Sequence, residues 1–93
     1  MRLDVFLKAS RLVKRRTVAK EACDNGRVSL NGRPAKAGSE VRPGDTISLD
    51  YGSRLLTVAV LAVPTGPVSK AMAASLYQVV SEEKTGPSEG LPF

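Results

Sequence analysis

At 93 residues, 42% of them apolar and with a net charge of +5, the chain has the size and composition of one folded domain rather than of a disordered tail. It contains no histidine and a single cysteine, Cys23, which excludes an internal disulfide and leaves no ligand set for a structural zinc. No apolar run approaches the roughly 20 residues needed to cross a bilayer, and the longest, residues 55–63, is interrupted by Thr57.

The charge is unevenly shared. Residues 1–36 hold ten Lys and Arg against Asp4, Glu21 and Asp24, a net +7, while the remainder nets −2. A basic half on a small chain is the electrostatic footprint of a polyanionic partner, and nucleic acid is the commonest one.

Leu3, Phe6 and Leu7 recur at the i, i+3, i+4 spacing of one helical face, which predicts a short first helix ending near Ser10. Asp4 in its first turn suits the positive end of the helix dipole. The opening Met1-Arg2-Leu3-Asp4 lacks the apolar stretch of a secretion signal. A basic linker, residues 11–15, leads to a second helix over 16–25, with Val18, Ala19, Ala22 and Cys23 as its buried stripe and Gly26 as its left-handed stop. Cys23 reads as a small core side chain, in keeping with a reducing cytoplasm.

Beyond Gly26 the period changes to two. Val28 and Leu30 predict a strand, Asn31-Gly32 a tight hairpin turn, and Pro34 confines the returning strand to a very short edge piece. Pro43-Gly44-Asp45 is a turn; residues 46–51 and 55–63 are strands joined through Gly52-Ser53. Residues 69–76 predict a short helix capped by Ser69, and 77–81 a closing strand. From Thr85 onward Gly, Pro, Ser and Glu dominate, the composition of a frayed tail. The expected fold is therefore α+β: two N-terminal helices on a small, mostly antiparallel sheet, then a short helix and a closing strand. Residues 1–84 are expected to form one domain, with a core motif over about 1–51 and an extension over about 54–84, and 85–93 are expected to be flexible.

Catalysis lacks its parts. With no histidine and one cysteine there is no nucleophile–base pair. Asp45 and Asp50 fall in a turn and at a strand end, as solvated carboxylates do, and no phosphate-loop glycine spacing surrounds Gly26, Gly32 or Gly38. The basic cluster is more telling. Runs of charge are most often solvated faces, but this one is Arg-rich, of one sign, and set at a helix start. Arg15 and Arg16 face the positive end of the second helix dipole, at a cost of about 0.3–1 kcal/mol per charge. With no local partner in sequence, they point to an external anion, held by helix amides and guanidinium forks. Arg16 and Lys20 share a helix face, and Lys8 and Arg11 extend the surface. Only four aromatic residues are present, so a stacking platform for single strands is not expected; recognition goes through backbone and shape.

Arg15-Arg16, Ala19-Lys20, Gly26, Val28, Asn31-Gly32 and Gly44-Asp45 stand in an order and spacing that resembles the RNA-binding domain named after ribosomal protein S4, the alpha-L motif. Arg15 takes the place of the usual Ser, and Leu30 that of a Val. The opening residues 1–8 and the run 10–17 are similar to the short bacterial stand-alone members, of the heat shock protein 15 type and more closely the RqcP type. The resemblance implies a non-catalytic factor on the large ribosomal subunit, touching rRNA and peptidyl-tRNA in ribosome-associated quality control and supporting C-terminal tailing of the stalled peptide. It implies RNA contacts by Arg2 and Arg16, with Lys8, Arg11, Lys14, Arg15 and Lys20 adding phosphate contacts. Arg27, Asn31 and Lys36 complete the expected RNA-binding set. No cofactor, metal or membrane is expected, the chain is expected to be a monomer, and a tailing factor is a candidate protein partner. The alternatives are a small DNA-binding or nucleoid-associated protein, an rRNA-binding assembly or heat-shock factor, and an adaptor using the C-terminal sheet.

Overall fold

The first helix has no side-chain cap, and its opening amides are satisfied from elsewhere in the chain. In the computed structural model, which describes residues 1–52 and 54–84, α1 spans Leu3–Ala9. The Leu3 and Asp4 amides donate to the carbonyls of Ser39 and Ala37 (2.8 and 3.1 Å), so the loop after the first hairpin closes the end of α1. Leu3, Phe6 and Leu7 are fully buried, as their spacing predicts. The second helix, α2, spans Arg16–Asp24 and buries Ala19, Ala22 and Cys23, with Val18 partly covered. Gly26, at φ +71°, ends it: its amide reaches the Cys23 carbonyl and that of Arg27 the Ala22 carbonyl.

Five strands follow: β1 (Val28–Leu30), β2 (Arg33–Pro34), β3 (Thr46–Asp50), β4 (Arg54–Val60) and β5 (Tyr77–Lys84). They form one sheet in the order β2-β1-β3-β4-β5, with every pairing antiparallel. Val28, Leu49 and Leu56 share one rung and Leu30, Ile47 and Val58 another, so one face of the sheet is apolar. Ser29, Ser48 and Thr57 make the intervening polar rung. The apolar face and the two helices enclose a single cluster that runs from Leu3 to Leu76. The fold is α+β, as expected.

The turns behave as their residues require. Asn31 and Gly32 take φ +54° and +81°, the left-handed pair of a tight hairpin, and Pro34 sits on the two-residue outer strand. Two strand ends differ from the sequence reading. β4 stops at Val60, not residue 63, because its partner β5 begins opposite it at Tyr77. The next amides, of Leu61 and Ala62, turn to the Leu76 carbonyl. β5 in turn runs past residue 81 to Lys84, since β4 offers a partner back to Arg54. Between them α3 covers only Lys70–Ala73, capped by the Ser69 hydroxyl as predicted, and Ala74–Leu76 tighten into a 3₁₀ turn. Val80 is skipped where the β4–β5 register shifts, and Val79 and Val80 are 51% and 60% exposed. The expected frayed tail from Thr85, and Ser53 of the second turn, lie outside the described residues. No helix among those described is long and apolar enough to cross a membrane.

Candidate nucleic-acid interface

The segment read as a basic linker is anchored rather than loose. Ser10 ends α1, its amide bonded to the Phe6 carbonyl and its buried hydroxyl to that of Leu7. Arg11 then takes φ +61°, a left-handed conformation that glycine usually fills after a helix, and its amide returns to the Lys8 carbonyl. Leu12 and Val13 turn into the core, and the Tyr51 hydroxyl donates to the Leu12 carbonyl at 2.8 Å. Pinned on its apolar residues, the segment leaves Arg11, Lys14 and Arg15 exposed.

The two arginines singled out by the resemblance meet on one carboxylate. Arg2 Nε donates to Asp4 Oδ1 at 3.3 Å and Arg16 Nε to Asp4 Oδ2 at 3.2 Å, while the Val5 amide holds Oδ1 at 2.8 Å. The Asp4 side chain is 3% exposed; those of Arg2 and Arg16 are 55% and 58% exposed. Asp4 thus works from beneath, gripping each guanidinium by its Nε. Among the described residues no hydrogen bond uses the Nη groups of either arginine, so both forks keep donors for an outside acceptor. This corrects the sequence argument that Arg16 lacks an internal partner. It has one, but two cations share a single anion and the group keeps a net positive charge.

Around this clamp the other cations gather. Lys8, Arg11, Lys14 and Arg16 border one open hollow of about 590 Å³, with Val5, Ala9 and Val13 in it and Pro67 and Val68 across from them. Lys20 lies one turn along α2 from Arg16, and Arg15 occupies the N-cap position of that helix with no side-chain cap bond. The remaining expected residues lie elsewhere. Arg27 is past the far end of α2, about 13 Å away by helix rise, beside a second hollow with Asn25, Asp50 and Leu55. Lys36 belongs to the loop that closes the start of α1, near Arg2 but outside the hollow. Asn31 is structural: its amide nitrogen donates to Asp45 and its oxygen accepts from the Thr46 amide at 2.9 Å. It braces the hairpin against the Pro43-Gly44-Asp45 turn and is exposed there, away from the hollow.

Three contributors escaped the sequence reading: Asp4 as a clamp, Tyr51 as a tether, and the Gly66–Val68 segment as a wall. Tyr51 is also crossed by the Arg54 guanidinium, 4.7 Å from its ring centre. Burial pushes its hydroxyl up to about 12, against a smaller opposing pull from Arg54. Burial likewise pushes the Cys23 thiol up to about 11, with the Asp4 and Asp24 charges adding to it, so the thiol stays protonated at neutral pH and is a poor nucleophile. No cluster of three or more metal-ligating side chains occurs among the described residues.

Known proteins share this fold. The S4 domain family matches residues 1–47, from the start of α1 into β3. The chain belongs to the S4 domain family. It is 51% identical over 86 residues to the RQC P-site tRNA stabilizing factor of Bacillus subtilis, spanning 92% of this chain and 99% of that protein. Two solved structures are close as well. Vibrio cholerae heat shock protein 15, a trimeric structure, superposes with a TM-score of 0.80 at 30% identity, covering 87% of this chain and 82% of that one. The solution structure of hypothetical protein HP1423 superposes at 0.76 with 39% identity, covering 87% and 98%. The S4 match contains both helices, the Asp4 clamp and every cation bordering the hollow, whereas the Gly66–Val68 wall falls in the extension beyond it.

Proposed function

We propose that this chain is a non-catalytic RNA-binding factor. It binds rRNA and tRNA on the large ribosomal subunit and steadies peptidyl-tRNA there during ribosome-associated quality control, in support of C-terminal tailing. It acts as a monomer in the cytoplasm, with residues 1–84 as one binding unit. The observation that carries this reading is the Asp4-held pair Arg2 and Arg16, flanked by Lys8, Arg11, Lys14, Arg15 and Lys20. Seven cations over the two helices and the segment between them neutralise phosphate, and paired guanidinium forks fix the register on a ribose-phosphate backbone. The Bacillus subtilis relative, whose name specifies a P-site tRNA, matches nearly end to end and supports the assignment of partner.

The test is binding to purified large subunits carrying peptidyl-tRNA. Arg2→Ala and Arg16→Ala are each expected to weaken binding about tenfold, the loss of one charge-assisted pair, and to flatten the log–log salt dependence by roughly 0.7–0.9 per lost phosphate contact. Unchanged binding in both variants would remove these residues from the interface. Preference for duplex DNA over ribosomal RNA in direct competition would instead make the protein a DNA-binding one.

A further inference from the structure

We propose that the hollow between the α1–α2 corner and the Gly66–Val68 segment receives one unpaired nucleotide of the bound RNA, its base on the apolar floor and its flanking phosphates on the cationic rim. The inference rests on the RNA-binding reading above and adds the structural class of RNA that the face selects.

The rim and the floor differ in chemistry. Lys8, Arg11, Lys14 and Arg16 line the hollow, and among the described residues no Asp or Glu does. Two acids pair with lining residues: Asp4 is buried and occupied by the Nε groups of Arg2 and Arg16, and Glu40 is paired with the Met1 ammonium at 3.6 Å. The same lining includes the hydrocarbon side chains of Val5, Ala9, Pro67 and Val68, with the buried Val13 behind them. A regular duplex presents phosphates on a convex surface and would leave this floor open to water. A nucleotide turned out of its helix has both parts the site asks for, a flat, largely apolar body and an anion on either side. The volume of about 590 Å³ is that of an ordinary small-ligand cleft.

The lining also sets what the site cannot do. Among the described residues its lining has no aromatic ring and, Arg and Lys apart, no strong side-chain hydrogen-bonding group for a base edge. The base is held by burial and by a guanidinium plane laid on it, so identity counts for little and being unpaired counts for much. Arg11, exposed and part of the lining, is the residue assigned to provide that plane.

Two RNA hairpins that differ only in a single-nucleotide bulge, labelled there with 2-aminopurine, provide the test. The bulged hairpin is expected to bind roughly fivefold or more tightly than the paired one, with a change in 2-aminopurine fluorescence on binding. Gly66→Trp should then erase the preference: a side chain at Gly66 starts in open space and can fill the hollow without altering charge. Val68→Glu, which puts a carboxylate into the floor, should do the same, with melting curves confirming that each variant folds. Equal affinity of the unaltered protein for both hairpins overturns the nucleotide site while leaving the RNA-binding reading intact. Failure to bind either hairpin overturns both. Displacement of the bulged hairpin by an equal concentration of polyglutamate would overturn it by giving the hollow to an acidic peptide.

Discussion

Asp4 is a carboxylate at the heart of a basic face, and replacing it separates charge from arrangement. Asp4→Asn makes the protein more positive, so a surface that attracted RNA by charge alone would bind more tightly. Because Asp4 holds Arg2 and Arg16 by their Nε atoms, the expected outcome is the reverse. Affinity for an rRNA fragment should fall about three- to tenfold by fluorescence anisotropy, and stability by about 1–2 kcal/mol in urea, the worth of hydrogen bonds to charged groups. Arg11 offers the complementary case. Its φ of +61° costs roughly 1 kcal/mol relative to glycine, so Arg11→Gly should raise or hold the unfolding midpoint while weakening RNA binding. At this scale the cations were legible from sequence as charge, and Cys23 and Phe6 as core. Asp4 was legible only as an acid suited to a helix start, since one of its two partners, Arg16, lies 12 residues away on another helix.

Elements here are set by turns and by the strands that template them. Gly26, Asn31-Gly32 and Ser69 were readable because their chemistry is complete within a few residues. The end of β4 was not, because apolar identity continues through residue 63 while the available partner does not. The tether from Tyr51 to Leu12 spans 39 residues of chain and joins β3 to the segment between the helices, a relation with no local signature. Tyr51→Phe deletes the donor and leaves a buried carbonyl short of a partner, so a loss of about 1–2 kcal/mol is expected in chemical denaturation. The tyrosine also shapes behaviour in alkali. Its folded value of about 12 lies above the ordinary 10, and that of Cys23, about 11, above 9. Each contributes stability that is complete below the ordinary value and disappears as pH rises through the folded one. Urea midpoints should therefore decline from about pH 9 upward, and Tyr51→Phe should remove the part of that decline that begins at pH 10.

Over the whole molecule the charge is polarised along the chain, and the fold gathers Lys8, Arg11, Lys14 and Arg16 at the helical corner. Removing two exposed cations from the acidic remainder, Arg42→Ala with Lys70→Ala, should leave the salt dependence of RNA binding unchanged, whereas Lys8→Ala with Lys14→Ala should flatten it by about 1.4–1.8. The extension after β4, which sequence reading set apart from the core motif, returns to that corner through Pro67 and Val68 and so takes part in it. The sheet, by contrast, has two unlike borders. β2 is two residues long, and its Pro34 has no amide hydrogen to give an incoming strand. β5 presents eight residues, with Val79 and Val80 uncovered beside the irregularity at Val80 and with Glu82 and Glu83 guarding its far half. Backbone zippering of the concentrated protein is therefore expected to begin at the Tyr77–Val80 half of β5, and Val80→Lys or Val80→Pro should suppress it.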